Sequence, residues 1–538
     1  MLNYRRQRSL TDSVKFSSCD PKSATRPELL SQTVTIAGLS IEEAEKKKFF
    51  LENSFLRTAH DKSQFLFNFE GAHGQSALSS IEHTCLFMGT GSTKDFYAKN
   101  LLHLGGKIAQ QIKPLKNKNF VFWIDSFYKD LKKTQLVKDF AGRPLVEQNL
   151  SREEAFERIL TGIFLGLYKT PNTKDNTKKL VKDNFKPLDF VFVSKYLRKE
   201  RLLKVAQQAL TKAEATYWVR DEKALPPNMQ TPELFVKEIR ELADKSGFKI
   251  KVLDEKRIHQ EGFGGIEAVG KGSINPPRLV IAEYNSQSKY PHLVLIGKGV
   301  TFDTGGISLK PPLNMHDMKM DMTGAAIVAG TLSAVAKEKL PIKITALIPI
   351  AENRPSHNSL LPGEVYEAWG GTTVEVQNTD AEGRLILADC LAYAQALKAD
   401  LVIDLATLTG AAMVTLGPVA FMLYGNDANW IQRFQKITRS AGEESWEMPL
   451  FDEFSEDLRS SSAHLRNHVG HRDGNSHVAA AFLKHFVDNK YPWLHLDICS
   501  YSLFTKWKGA HCPSDAPVGL PILAMIEFAK KFAAKQKR

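Results

Sequence analysis

The sequence predicts an α/β fold made of two successive α/β domains, and three observations predict it. Short apolar runs alternate with stretches of helical period along most of the chain, the pattern of strand–helix units. The chain has 538 residues, enough for two or more domains and at least one large core. Hydrophobic residues make up 43% and charged residues 25%, an ordinary balance for a globular protein. No uncharged apolar run reaches about 18 residues, so no membrane span is expected.

Taken in order, residues 1–30 are polar with little apolar periodicity and read as a flexible N-terminal arm. Arg5, Arg6 and Arg8 precede the first acid, Asp12, which leaves a mitochondrial transit peptide conceivable. A disordered arm is the preferred reading, because no apolar stretch of signal-peptide length follows. Residues 31–213 read as the first α/β domain. In it QTVTIAGLS, QFLFNFEG, TCLFMG, FVFWIDSFY and DFVFVS are predicted strands, and AKNLLHLGGKIAQQI and REEAFERILTGIFLGLYK predicted helices. A charged helix around KVAQQALTKAEATYWVRDEK leads into the second domain, residues 214–538. There RLVIAEY, HLVLIG, IKITALIPI, TTVEVQN and DLVIDLAT are predicted strands. GAAIVAGTLSAVAKEK, LILADCLAYAQALKA and HVAAAFLKHFVDN are predicted helices.

The formal net charge is +12. A basic balance raises the prospect of an anionic partner such as nucleic acid. The lysines are spread along the chain instead of gathered in one arm, so a solvated surface is the preferred reading. The five cysteines (Cys19, Cys85, Cys390, Cys499, Cys512) are odd in number and widely spaced, without CxxC. That pattern suits a reducing, cytoplasmic setting and argues against a disulfide framework or a cysteine zinc site.

Three segments carry chemistry. GKGVTFDTGGISLKPP, Gly297 to Pro312, follows the apolar run HLVLIG, and catalytic groups in α/β sheets lie at carboxyl ends of strands. It offers Lys298, Asp303 and Lys310. A desolvated lysine is a competent metal ligand, and a solvated lysine–aspartate pair is the equal alternative. MKMDMTGAA adds Asp321 just before a helix, where a capping role is the commoner one. NTDAEGRLILADCL brings Asp380, Glu382 and Arg384 within five residues at a strand-to-helix turn. Two carboxylates converging there would repel without a cation, and here too helix capping is the alternative. Together the four acids exceed what one divalent ion needs for charge balance. Two ions sharing carboxylates, roughly 3.5–4 Å apart, would satisfy them.

At these residues the chain resembles the leucyl aminopeptidase (cytosol aminopeptidase) family of dinuclear metallopeptidases. NTDAEGRL stands intact at Asn378 to Leu385, and GKGVTFDTGG with the spaced K, M and DM.GAA positions is nearly intact. The resemblance covers residues 214–529 and is strong over 297–411. It implies an N-terminal macro-like α/β domain and a larger α/β catalytic domain with a central mixed sheet. It implies hydrolysis of the N-terminal residue from peptides by a two-metal mechanism with a bridging hydroxide. Lys298, Asp303, Asp321, Asp380 and Glu382 match the metal ligands, with Asp303 and Glu382 bridging both ions. Lys298 and Asp321 then belong to the tighter site and Asp380 to the more exchangeable one. Lys310 and Arg384 match the catalytic pair, Arg384 holding a bicarbonate. Met318, Asn378, Thr407, Leu408 and Gly410 match the substrate pocket. The resemblance further implies a homohexamer acting on peptide substrates. Zinc, manganese, magnesium and cobalt all suit the ligands, with zinc or manganese preferred.

The chain also departs from the pattern. Thr323 replaces a usual glycine two residues after Asp321, where a β-branched residue is able to shift the helix start. GHRDGNSHVAAAFL and SDAPVGLPI differ from the family near the C-terminus. His464, His468, His471 and His477 cluster in one stretch, a histidine metal site or, as preferred, a solvated loop. GTGSTK fails the phosphate-loop spacing, and His495 reads as a core histidine. Two other functions stay in view, a nucleic-acid-binding regulatory protein on this scaffold and a two-metal phosphoesterase.

Overall fold

A computed structural model of the chain describes residues 14–19, 34–40, 72, 75–79, 84–91, 97–115, 119–127, 135–138, 144–148, 150–170 and 188–534, except 286, 288, 488–490, 504–508 and 513–515. The chain divides into two compact units. One comprises Met1–Glu214 with Lys508–Ala516, and the other Ala215–Trp507 with Pro517–Arg538.

In the first unit, the described residues form a six-stranded sheet. Its strands are β1 (Val14–Cys19), β2 (Val34–Ser40), β3 (Ser76–Ser79), β4 (Thr84–Gly91), β5 (Asn119–Trp123) and, after a two-stranded ribbon β6 (Gln135–Lys138) and β7 (Pro144–Gln148), β8 (Leu188–Val193). The spatial order is β1-β8-β5-β2-β4-β3. All neighbours run parallel except β3 against β4. Strand β1 corrects the expectation of a loose arm over residues 1–30, since Val14–Cys19 joins the sheet beside β8. The short alternation VKFSS places Phe16 against Phe164 and Phe192, 5.9 and 5.7 Å between ring centroids, which ties it to the sheet. FVFWIDSFY is a strand only to Trp123, because Asp125 accepts hydrogen bonds from Ser194 Oγ and Lys195 N and turns the chain. QFLFNFEG and the end of GTGSTK lie outside the described residues. Helices α1 (Ala98–Ile112) and α2 (Arg152–Gly166) match their expected runs. Ser151 and Glu154 start α2 with a reciprocal capping box.

Helix α3 (Lys199–Ala224) contains the boundary between the units. In the second unit the elements continue as α4 (Pro232–Ser246), β9 (Lys249–Leu253), α5 (Gly264–Gly270), β10 (Arg278–Tyr284), β11 (His292–Gly297), β12 (Gly299–Asp303), α6 (Thr323–Lys337), β13 (Lys343–Asn353), β14 (Val365–Glu367), β15 (Thr373–Glu375), α7 (Glu382–Ala396), β16 (Leu401–Ala406), α8 (Ala411–Leu416), β17 (Ala420–Gly425), α9 (Ala428–Ala441), β18 (Glu444–Glu447), β19 (Leu465–Arg466), α10 (Asn475–Lys484), β20 (Trp493–Asp497) and α11 (Ile522–Ala533). A nine-stranded sheet runs β18-β17-β20-β16-β11-β13-β10-β9, with β12 pairing β13. It is mixed. β11, β13, β16 and β20 are parallel, whereas β10 and β17 run antiparallel to their inner neighbours. The chain is therefore α/β, with a smaller, mainly parallel N-terminal sheet followed by a larger mixed one.

β11 and β16 are buried at every residue, as expected of central parallel strands covered on both faces. That is why HLVLIG and DLVIDLAT read as mainly apolar runs instead of alternating ones, the buried Asp404 of β16 being held by Trp493 Nε1 and His495 Nδ1. Helices α6 and α7 are buried almost all round. Among the described residues, no helix is long and apolar enough to cross a membrane.

Candidate metal centre

Strands β11 and β16 pair to their ends, β12 continues from β11 along β13, and the chain leaves β11, β12 and β16 into the same polar cluster. Lys298 follows the last residue of β11, and its N–H still donates to Leu405 O on β16 at 3.0 Å. Its side chain is buried and passes the first turn of α7. The ammonium lies 2.8 Å from Asp321 Oδ2 and 2.7 Å from Glu382 Oε1, and donates to Thr407 O at 3.0 Å.

Asp303 ends β12. Its Oδ1 accepts from Gly305 N at 2.8 Å and Asn353 Nδ2 at 2.9 Å, and its Oδ2 lies 2.8 Å from Lys310 Nζ. The two glycines that follow have φ of 87° and 66°, a region open to glycine at little cost. A Cβ on Gly305 would also stand 2.9 Å from Asp380 Oδ1. This tight loop returns Lys310 to the cluster, where it pairs with Asp380 as well. Thr379 laces the loop to the next segment. Its Oγ1 donates to Gly305 O at 2.6 Å and accepts from Ser308 N at 2.8 Å.

The capping alternatives do not hold. Helix α6 is capped by Met322 and α7 by Ala381, neither with a side-chain cap bond. Asp321 instead turns inward, its Oδ1 accepting from Thr407 Oγ1 at 2.7 Å. Thr323 is the first residue of α6, fully buried, with its hydroxyl donating to Met320 O. Oxygens of Asp303, Asp380 and Glu382 all lie within 4.8 Å of one another. No other group of three or more acids, histidines or cysteines among the described residues is so arranged.

The electrostatics follow from four carboxylates facing two ammonium groups, all buried except the partly exposed Lys310 and Asp380. Burial raises the Asp321 pKa well above its usual value, and Glu382 and Asp303 add to that against the pull of Lys298. Asp380 is pushed up to about 7 by burial and by Asp303 and Glu382, with Lys310 opposing. Burial alone would lower both lysines. The acids outweigh it: Asp321, Glu382 and Asp303 raise Lys298, and Asp303, Glu382 and Asp380 raise Lys310. Glu382 Oε2 is buried without any hydrogen-bond partner, which a carboxylate oxygen tolerates poorly. An orphan oxygen, an excess of negative charge and three converging oxygens fit hard or borderline divalent cations.

Arg384, two residues beyond Glu382, is buried. Its Nη1 donates to Asn467 O at 2.7 Å, and its Nε has no partner. Burial lowers its pKa to about 10 against the pull of Glu382 and Asp497, so it stays a cation at neutral pH. Thr407 touches Asp321 and Lys298, and Asn378 Oδ1 accepts from Asp380 N at 2.8 Å. Met318 is tied to Asp321 through its carbonyl, 3.2 Å from Asp321 N. Leu408 is half-buried beside Thr407, its N–H held by Asp497 at 3.2 Å, and Gly410 is exposed at the start of α8. Sequence reasoning did not single out Asn353, Thr379, Asn467 or Asp497. Asn353, Asn467 and Asp497 lie outside the quoted motifs, and Thr379, although inside NTDAEGRL, is not an acid or a base that would draw a site reading.

The histidine stretch makes no metal-binding group. His464 Nδ1 bonds Thr373, His468 Nδ1 accepts from Gly470 N, His471 lies near exposed Asp473, and His477 stacks on Phe454. His495 is fully buried and pairs with Asp404 at 2.5 Å, a core histidine.

Comparison with known proteins places this geometry. Residues 217–526 match the catalytic domain of the cytosol aminopeptidase family. A probable cytosol aminopeptidase of Desulfovibrio desulfuricans is 40% identical over 386 residues, spanning 70% of this chain and 75% of that protein. The cytosol aminopeptidase of Pseudomonas aeruginosa is 43% identical over 330 residues, spanning 60% of this chain and 66% of that protein. Among solved structures, the bottromycin maturation enzyme BotP, also solved in complex with Mn, superposes with a TM-score of 0.76. It has 29% identity, covering 94% of this chain and all of that one.

Proposed function

Because the chain belongs to the cytosol aminopeptidase family and is thereby a metal-dependent aminopeptidase, we propose that it removes the N-terminal residue of peptides using two divalent ions held by Lys298, Asp303, Asp321, Asp380 and Glu382. The observation that carries this reading is the meeting of those residues, distant along the chain, at one set of strand ends. In this reading Asp303 and Glu382 serve both ions, Lys298 and Asp321 the tighter site, and Asp380 the more exchangeable one. Such a pair of ions, when bound, supplies a water of lowered pKa as nucleophile near neutral pH.

The chain's own residues do the rest. Lys310, fixed as a cation by Asp303 and Asp380, is aimed where negative charge develops on the scissile carbonyl oxygen. Arg384 is a buried cation with an orphan donor, suited to hold a small anion such as bicarbonate that takes up a proton. Met318, Asn378, Thr407, Leu408 and Gly410 line the place of the N-terminal side chain. The free amine of the substrate, next to acidic Asp380, restricts cleavage to the first residue. Zinc or manganese as the ions, a homohexamer and a cytoplasmic location complete the proposal.

The test is hydrolysis of aminoacyl amides by metal-stripped protein after adding back zinc or manganese. N-acetylated amides and phosphoesters serve as controls. Metal-dependent release from the free-amine substrates alone is expected. Cleavage of the acetylated amides, or of the phosphoesters alone, would overturn the reading.

A further inference from the structure

Asn467 is fully buried, and every polar group it owns is engaged. Its N–H donates to Glu375 O at 3.0 Å, extending the pairing of β15 with β19 by one residue. Its Oδ1 accepts from Gln377 N at 2.8 Å and Asn378 N at 3.3 Å, and its Nδ2 donates to Asn378 O at 2.7 Å. Its carbonyl accepts from Arg384 Nη1 at 2.7 Å, and among the described residues no other hydrogen bond holds that guanidinium. Asn378 in turn holds the metal-site turn: its Oδ1 accepts from Asp380 N at 2.8 Å and its carbonyl from Ala381 N at 3.2 Å.

An amide is the side chain this place needs. One face must accept from two backbone N–H groups while the other donates to a carbonyl, and asparagine does both at this reach. The side chain thus locks residue 467 onto Gln377 and Asn378, so that its carbonyl meets Arg384 at a fixed point. We propose that Asn467 is a positioning residue for the reaction, fixing the Arg384 guanidinium through a carbonyl that its own side chain anchors to the Gln377–Asn378 backbone. This rests on the reading of Arg384 as a catalytic group given above. Displacing a catalytic group by about an ångström costs on the order of a hundredfold in rate, so a side chain that touches no substrate still governs turnover.

The experiment is a double-mutant cycle of Asn467→Ala and Arg384→Ala on the metal-loaded enzyme. It reads kcat, KM, metal content and thermal stability. Asn467→Ala should lower kcat on the order of ten- to a hundredfold while KM and metal content stay near those of the parent. In the Arg384→Ala background the same change should cost less than about threefold in kcat, because the side chain acts through the bond that Arg384 makes. Asn467→Asp keeps the two acceptor bonds but sets a carboxylate oxygen against Asn378 O where the donor stood, so it should lower kcat as alanine does. It replaces alanine in the cycle if that variant does not fold. Independent multiplication of the two kcat losses would overturn the inference. Phenylglyoxal labelling of Arg384, read by peptide mass, gives a measure free of activity: it should be faster in Asn467→Ala, and an unchanged rate refutes the proposal. A parent enzyme without aminopeptidase activity would instead contradict the function proposed above, and the labelling would still decide the role of Asn467.

Discussion

Gly383 lies inside the first turn of α7, where glycine costs a helix about 1 kcal/mol relative to alanine. The reason for it is steric. A Cβ at this position would stand 2.7, 2.8 and 2.9 Å from Cε, Nζ and Cδ of Lys298. Three successive atoms are too close, and the end of the lysine cannot swing away freely. Its ammonium is buried among Asp321, Glu382 and Thr407 O. Gly383→Ala must therefore push Lys298 from its partners. Breaking a buried ion pair costs about 3–5 kcal/mol, against a gain of about 1 kcal/mol in helix propensity, for a net loss of about 2–4 kcal/mol. The sign should reverse once the lysine is removed. In a Lys298→Ala background the same substitution meets no side-chain end and should stabilise the protein by up to about 1 kcal/mol. Denaturant unfolding of the four proteins, together with their metal content, measures this. A Gly383→Ala protein more stable than the parent, with full metal content, would refute the steric argument.

Other predictions test the centre and the scaffold. Glu382→Ala should abolish turnover and lower the bound metal, measured by plasma emission; retained turnover with full metal content would contradict a bridging role. Arg384→Ala should slow kcat on the order of a hundredfold or more and leave metal stoichiometry unchanged, whereas metal loss would show it to be a structural support of the site. His292, at the far end of β11 with its Nε2 2.9 Å from Thr345 Oγ1, has its pKa lowered from 6.5 to about 4 by burial and then by Lys343, with Asp400 opposing. Between those two pH values the unfolded chain holds the proton that the folded ring refuses. Stability is therefore complete above pH 6.5 and falls by at most about 1.4 kcal/mol per unit as pH drops toward 4. His292→Gln should flatten that slope in unfolding curves taken from pH 7 to 4.5, and an unchanged slope would remove His292 as its cause.

Much of the catalytic unit was legible because its strands are central and parallel. HLVLIG and DLVIDLAT are apolar apart from His292 at the start of β11, Asp400 just before β16 and Asp404 within it, and Lys298 and Thr407 follow where the chain leaves the sheet. NTDAEGRL and GKGVTFDTGG announced the acids, but their spacing alone left capping open for Asp321 and Asp380. Only the inward turn of these side chains, with Met322 and Ala381 at the cap positions, decides against it. β1 was missed because six residues in a polar context give too little alternation, and its partner β8 lies far along the chain. Asn467 was hidden for a different reason. It sits among four histidines that attract a metal reading, and its role arises from main-chain groups of Gln377, Asn378 and Arg384, which no side-chain pattern records. Gly383 looked like one letter of a motif until the path of Lys298 explained it.

The most direct measurement is anomalous diffraction from crystals loaded with zinc or manganese. Two bound ions are expected among Lys298, Asp303, Asp321, Asp380 and Glu382, one of them the more readily exchanged. Ions bound elsewhere, for example at His464 to His477, with none among these five side chains, would contradict the account.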